Sequence, residues 1–115
     1  MPSRRSERVS GLLRHAVADI LLREVKDPRV SGITVTAARI SPDLRTARIF
    51  FRTLQEAKHA AALDGLQSAT SYIRRQVAAR LRLRYTPTIE FYYDNTFDEV
   101  NHLENLFHKI EQEEY

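Results

Sequence analysis

The apolar residues of this chain change period along its length, from helical to alternating, back to helical and to alternating again. That order restricts the fold more than any single residue does. Val9, Leu12, Leu13, Ala16, Val17, Ile20 and Leu21 recur at helical spacing and form one stripe. Ser6 is the expected cap of this first helix, and Pro28 in Lys26-Asp27-Pro28-Arg29 stops it. Two alternating runs follow. Ile33, Val35 and Ala37 share one face against Thr34, Thr36 and Ala38, and Ala47, Ile49 and Phe51 share one against Arg48, Phe50 and Arg52. The intervening Ser41-Pro42-Asp43-Leu44-Arg45 favours a turn, so the pair reads as a β-hairpin with one face on the core.

A long helical stretch is expected from about Ala57 to Leu83, with Leu63, Leu66, Thr70, Ile73, Val77 and Leu81 as its stripe. The stripe weakens at Ala69-Thr70-Ser71, which predicts two helices or one helix with a kink. Pro87 closes the segment. A third strand places Ile89, Phe91 and Tyr93 inward and Glu90 and Tyr92 outward. Asp94-Asn95 then turns the chain, and Thr96 with Glu99 forms a capping-box pattern. The last predicted helix carries Phe97, Val100, Leu103, Phe107 and Ile110. The expected fold is α+β: one three-stranded sheet covered on one face by helices, within a single domain over residues 1–115. An acidic helix or tail is expected from about 95–115.

Charge is distributed unevenly. Residues 1–93 hold 17 Lys/Arg against 8 Asp/Glu, whereas residues 94–115 hold 1 against 7. A basic body suggests a polyanionic partner. The tail is either a solvated helix or a screen for the basic face. Of the 18 basic residues 15 are arginine, whose planar fork suits phosphates and bases, although genomic composition also enriches arginine. There is no cysteine, which excludes disulfides, thiolate catalysis and cysteine-held metal. No apolar run reaches the roughly 20 residues of a membrane helix, and the basic N-terminus lacks a signal-peptide core. The expectation is a soluble, cytoplasmic protein.

Arg74, Arg75, Arg80, Arg82 and Arg84 lie in a segment with no acid, and Arg75 with Arg82 and Arg80 with Arg84 would share helix faces if the helix reached that far. Like charges without acids suit phosphate contact better than a merely solvated face. Arg4, Arg5 and Arg8 sit near the start of the first helix, where cations oppose its dipole, and form a candidate RNA-contacting arm. Arg45, in the hairpin turn, joins these RNA-binding candidates. Arg48, Phe50 and Arg52 share an outer strand face with Tyr92. They could stack bases, but the glycine-rich pattern of RRM strands is missing, which favours aromatics that shield the sheet. His15, His59, His102 and His108 show no metal spacing, and Asp27 and Asp43 fit capping and turn roles. No catalytic residue, metal site or cofactor is expected.

Three stretches, taken in order, resemble the ribosome-binding factor A family. They are Val25-Lys26-Asp27-Pro28-Arg29; Ile40-Ser41-Pro42-Asp43-Leu44-Arg45-Thr46-Ala47; and Ile73-Arg74-Arg75 with Leu81-Arg82-Leu83-Arg84, Pro87 and Phe91-Tyr92-Tyr93-Asp94-Asn95. The resemblance implies a KH-like domain of the second type, without the GxxG loop: the glycines are Gly11, Gly32 and Gly65. It also implies an Ala-x-Gly kink, matched by Ala69-Thr70-Ser71 with serine in place of glycine. Serine is uncomfortable at positive φ. Either a kink with ordinary φ or a Ser71 hydroxyl bonded to backbone would fit.

The implied function is non-enzymatic: binding the small (30S) ribosomal subunit and its 16S rRNA, free rather than translating. The implied role is late maturation and processing of the rRNA 5′ end and growth in the cold. A monomer is expected. The alternatives are a generic single-stranded RNA-binding module using the sheet face, and a small enzyme. On the leading reading, Arg75→Glu with Arg82→Glu keeps the fold and abolishes co-sedimentation with small subunits at moderate salt.

Overall fold

The computed structural model describes residues 3–95. Helix α1 (Arg4–Arg23) is followed by a 3-10 turn (Pro28–Val30) and strands β1 (Thr34–Ile40) and β2 (Thr46–Arg52). A second 3-10 turn (Glu56–Lys58) leads into α2 (His59–Leu81), and β3 (Thr88–Tyr93) completes the sheet. The predicted acidic C-terminal helix and its Thr96–Glu99 capping box lie outside the described residues.

Helix α1 begins one turn earlier than the Ser6 cap implies. Ser3 is the cap, and Ser6 is the third helical residue of a reciprocal box: each serine hydroxyl accepts from the other's backbone N–H. Ser6 is thereby fully satisfied while buried. The apolar stripe behaves as expected, with Leu13, Val17 and Ile20 wholly buried, each removal from water stabilising by about 1.5–3 kcal/mol. Leu12 lies at the rim, half exposed. After the helix, Asp27 accepts from the Arg29 N–H and caps the 3-10 turn opened by Pro28.

The sheet order is β1-β2-β3, with β1 antiparallel and β3 parallel to the central β2. The parallel pairing requires a crossover, which α2 supplies. Ala47, Ile49, Phe51, Ile89 and Phe91 face the helices, in a core shared with Leu13, Ile20, Leu66, Ile73 and Val77. Strand β1 departs from simple alternation. The register jumps between Val35 and Ala37, so that Thr36 is an extra, bulged residue. Beyond it the phase inverts: Ala38 packs on the core and Ile40 is buried, whereas Ala37 pairs with Phe50 on the outer face. The expected inward Ala37 is thus corrected.

The stretch predicted as two helices or a kinked one is a single unbroken helix through Ala69, Thr70 and Ser71. Leu44 and Arg82 are the non-glycine residues at positive φ among those described, so Ser71 meets no left-handed requirement. The hydroxyls that could compete with the helix are used within it. Thr70 donates to the Leu66 carbonyl and Ser68 to that of Asp64. Leu66, Ile73 and Val77 carry the buried stripe across the polar patch. Gly65 permits the closest approach: a Cβ there would stand 2.8 Å from Val30 Cγ1 and 3.0 Å from Arg29 Cβ. The helix stops at Leu81, two residues before the predicted end, because Arg82 turns left-handed (φ 52°, ψ 44°). The Leu83 N–H then bonds back to Ala78.

Candidate nucleic-acid interface

The early stop divides the arginine run by role. Arg74, half-buried on α2, donates to the Pro87 carbonyl at 2.7 Å and fastens the helix to the entry of β3. Arg80 is not an arginine without acids. It reaches across to α1 and pairs with Asp19 at 2.7 Å and Glu24 at 2.6 Å. Tyr72 donates to the other Glu24 oxygen, and Arg23 pairs with Asp19, which closes a network between the helices. The Arg80 and Arg23 guanidiniums hold the Asp19 carboxyl below its ordinary range. Acids 61 and 56 residues away in sequence supply what the local segment lacks. Arg75 stays exposed on α2, and Arg82 is exposed beyond its last turn, so the two do not share a helix face; Arg84 lies past the helix end as well.

The residues that do converge come from three separate elements. Arg5 in the first turn of α1, Asp43 and Leu44 in the β1–β2 turn, and Leu83, Arg84 and Tyr85 after α2 line a shallow cavity of about 170 Å³. The Arg45 guanidinium carbon lies 4.5 Å from the centre of the Tyr85 ring and that of Arg84 lies 5.4 Å from it. Both distances are within cation–π range.

The hairpin turn is built to hold its part of the corner. Ser41 donates to the Asp43 carboxylate, which also accepts the Arg45 N–H, and Leu44 takes a left-handed φ of 62°. The bond from Ser41, with the one from Arg45, lowers the Asp43 pKa. The Thr88 N–H donates to the Arg45 carbonyl at 2.8 Å, which locks the turn to β3. Arg4 and Arg8 are exposed on the same first turns of α1 as Arg5. Of the nine predicted arginines, then, Arg5, Arg45 and Arg84 come together, Arg4, Arg8, Arg75 and Arg82 are exposed, and Arg74 and Arg80 hold the fold. Tyr85 (46% exposed) was not among the predicted residues. An aromatic directly after Arg82-Leu83-Arg84 and before a proline was the available signal.

A small α+β domain whose basic residues gather round an exposed aromatic has the chemistry to grip a phosphate backbone. The chain belongs to the ribosome-binding factor A family: the family profile matches residues 5–107. It is 44% identical to ribosome-binding factor A of Syntrophus aciditrophicus over 112 residues, covering 96% of this chain and 91% of the relative. It is 38% identical to the Halothermothrix orenii protein of that name, covering 99% and 94%. The crystal structure of ribosome-binding factor A from Thermus thermophilus superimposes with a TM-score of 0.69 at 27% identity, over 76% of this chain and 94% of that one. A Thermus thermophilus homology model fitted into the cryo-EM map of a 30S complex gives 0.62 at 28% identity, over 75% and 91%. The fold is accordingly KH-like, as the resemblance implied.

Proposed function

We propose that this chain is a non-catalytic assembly factor that binds the small ribosomal subunit, gripping its rRNA through the corner formed by Arg5, Arg45, Arg84 and Tyr85. The carrying observation is that Arg45 and Arg84 meet at one exposed ring, Tyr85, beside a cavity that Arg5 also lines. Family membership supports the partner, as does a structural neighbour fitted into a 30S complex. Contacts to phosphate give affinity and salt dependence without reading sequence. Preference for one rRNA conformation over another then shifts its population by the difference in affinity. On this reading the protein acts in the cytoplasm as a monomer, on free rather than translating subunits. It assists late processing at the rRNA 5′ end and growth in the cold, and it uses no cofactor or metal.

The test is sedimentation of the full chain with isolated small subunits over a salt series. Arg45→Glu with Arg84→Glu is expected to keep its circular-dichroism spectrum and lose co-sedimentation at moderate salt. Arg75→Glu with Arg82→Glu is the comparison, and it should weaken binding less. Unchanged co-sedimentation of the corner variant overturns the proposed surface.

A further inference from the structure

The Thr36 bulge re-aims one charged side chain. Uninterrupted alternation from Thr34 would put Thr36, Ala38 and Ile40 on the outer face and Arg39 inside. With the extra residue, Ile40 is buried opposite Ala47, and Arg39 stands outside, exposed, opposite Arg48. Bulges commonly serve to redirect a side chain in this way.

The outer face then reads in rungs. Arg39 and Arg48 are directly opposed, with Glu90 next in register; the rung beyond is Ala37, Phe50 and Tyr92. Two like charges facing each other across a strand pair are destabilising. Among the described residues no carboxylate forms an ion pair with either, and Glu90 instead accepts the Tyr92 hydroxyl. The Phe50 and Tyr92 rings stack with centroids 5.8 Å apart at 30°, and Tyr92 is 42% exposed. On the β1 side the residue paired with Phe50 is the small Ala37. A face kept merely for solubility would oppose Arg48 to unlike charge on both sides, as Glu90 does on β3, and cover its aromatics. This one spends stability on two opposed cations beside a ring pair. Cations suit phosphate, ring faces suit unpaired bases, and bases held within a duplex cannot reach them. Arg45 leads directly into β2, with about 16 Å of backbone, at 3.3 Å per residue, between it and Phe50.

We infer that the outer face of the sheet is a second binding site, for single-stranded RNA, with a base on the Phe50–Tyr92 pair and phosphate between Arg39 and Arg48. The inference takes the class of polymer from the function proposed above, but it rests on different residues. The test uses the full chain and an oligouridine about ten nucleotides long carrying 4-thiouridine. Cross-links are expected at Phe50 or Tyr92. Phe50→Leu with Tyr92→Leu, which keeps apolar bulk, should weaken binding about tenfold, and a duplex of the same length should compete poorly. Arg39→Gln, an exposed change with little reach into the fold, should lower the salt slope by about 0.7, one phosphate contact on a single strand. Cross-links confined to other residues, or unchanged affinity in both variants, overturn the site. If the oligonucleotide fails to bind while co-sedimentation with small subunits persists, the sheet site falls and the proposed function stands; if neither binds, both fall.

Discussion

Arg82 illustrates how a single residue can carry two costs at once. It sits at the left-handed position that ends α2, a conformation glycine adopts freely and other residues adopt at about 1–2 kcal/mol. Arg82→Gly is therefore expected to stabilise the fold by roughly 1 kcal/mol, read as a rise in the midpoint of chemical denaturation. If its charge contributes to subunit binding, the same variant sediments less well, so stability and binding move in opposite directions. Tyr85 makes the complementary case. It bears no charge, yet two guanidiniums rest on its ring. Tyr85→Ala should leave net charge unchanged and weaken subunit binding about three- to tenfold by loosening Arg45 and Arg84. Sedimentation at fixed salt measures it, and retention equal to the parent protein would show that the ring orders nothing.

At the scale of elements, the packing of α2 on the Pro28–Val30 turn is fixed by Gly65. Gly65→Ala gains about 1 kcal/mol of helix propensity but forces a methyl against Val30 and the Arg29 Cβ, at about 1–3 kcal/mol. A net loss of roughly 1 kcal/mol is expected in urea titration, and a stabilised variant would mean that the turn yields. The elements themselves were legible from period and punctuation, since burial on one face leaves a stripe in sequence. The phase of β1 was not. Thr36, Ala37 and Ala38 are small enough for either face, so the bulge left no hydropathy signal until Ile40, which falls out of step. The end of α2 was hidden as well, because Arg82 is a poor advertisement for a left-handed turn that glycine usually marks. Of the two readings at Ala69–Ser71, that of two separate helices overweighted local hydroxyls, whose bonds the helix itself absorbs. The candidate site was half visible: Arg5, Arg45 and Arg84 stood out by type, but their meeting depends on the topology, and the partners of Arg80 lie on another helix.

Over the whole molecule, carboxylates held by arginines and turn donors tie stability to acidity. Arg80 lowers the pKa of Asp19, Arg29 that of Asp27, and the Ser41 hydroxyl that of Asp43. Each depressed pKa contributes stability that is present above the ordinary value of about 3.9 and lost as pH falls through the lower, folded value. Thermal stability should thus hold from neutrality down to about pH 4 and decline below it. Asp19→Asn should start less stable and decline less steeply, which melts across an acid series would show. A parallel decline in both proteins would assign the effect to other groups.

The order of pairing has a consequence for how the protein comes into being. Helix α1 and the β1–β2 hairpin can meet as soon as their residues are available, because their contacts, such as Ser10 to Ile40, lie within the first part of the chain. Strand β3 pairs with β2 only after α2 has crossed between them, so Ile49 waits for Phe91 and Arg45 for Thr88. Such distant pairing is the slow part of folding. The Arg45–Arg84–Tyr85 corner is made from both sides of that last closure. A chain still emerging from synthesis has all the arginines of its N-terminal half but no corner, so the proposed grip on rRNA arrives only with the completed sheet.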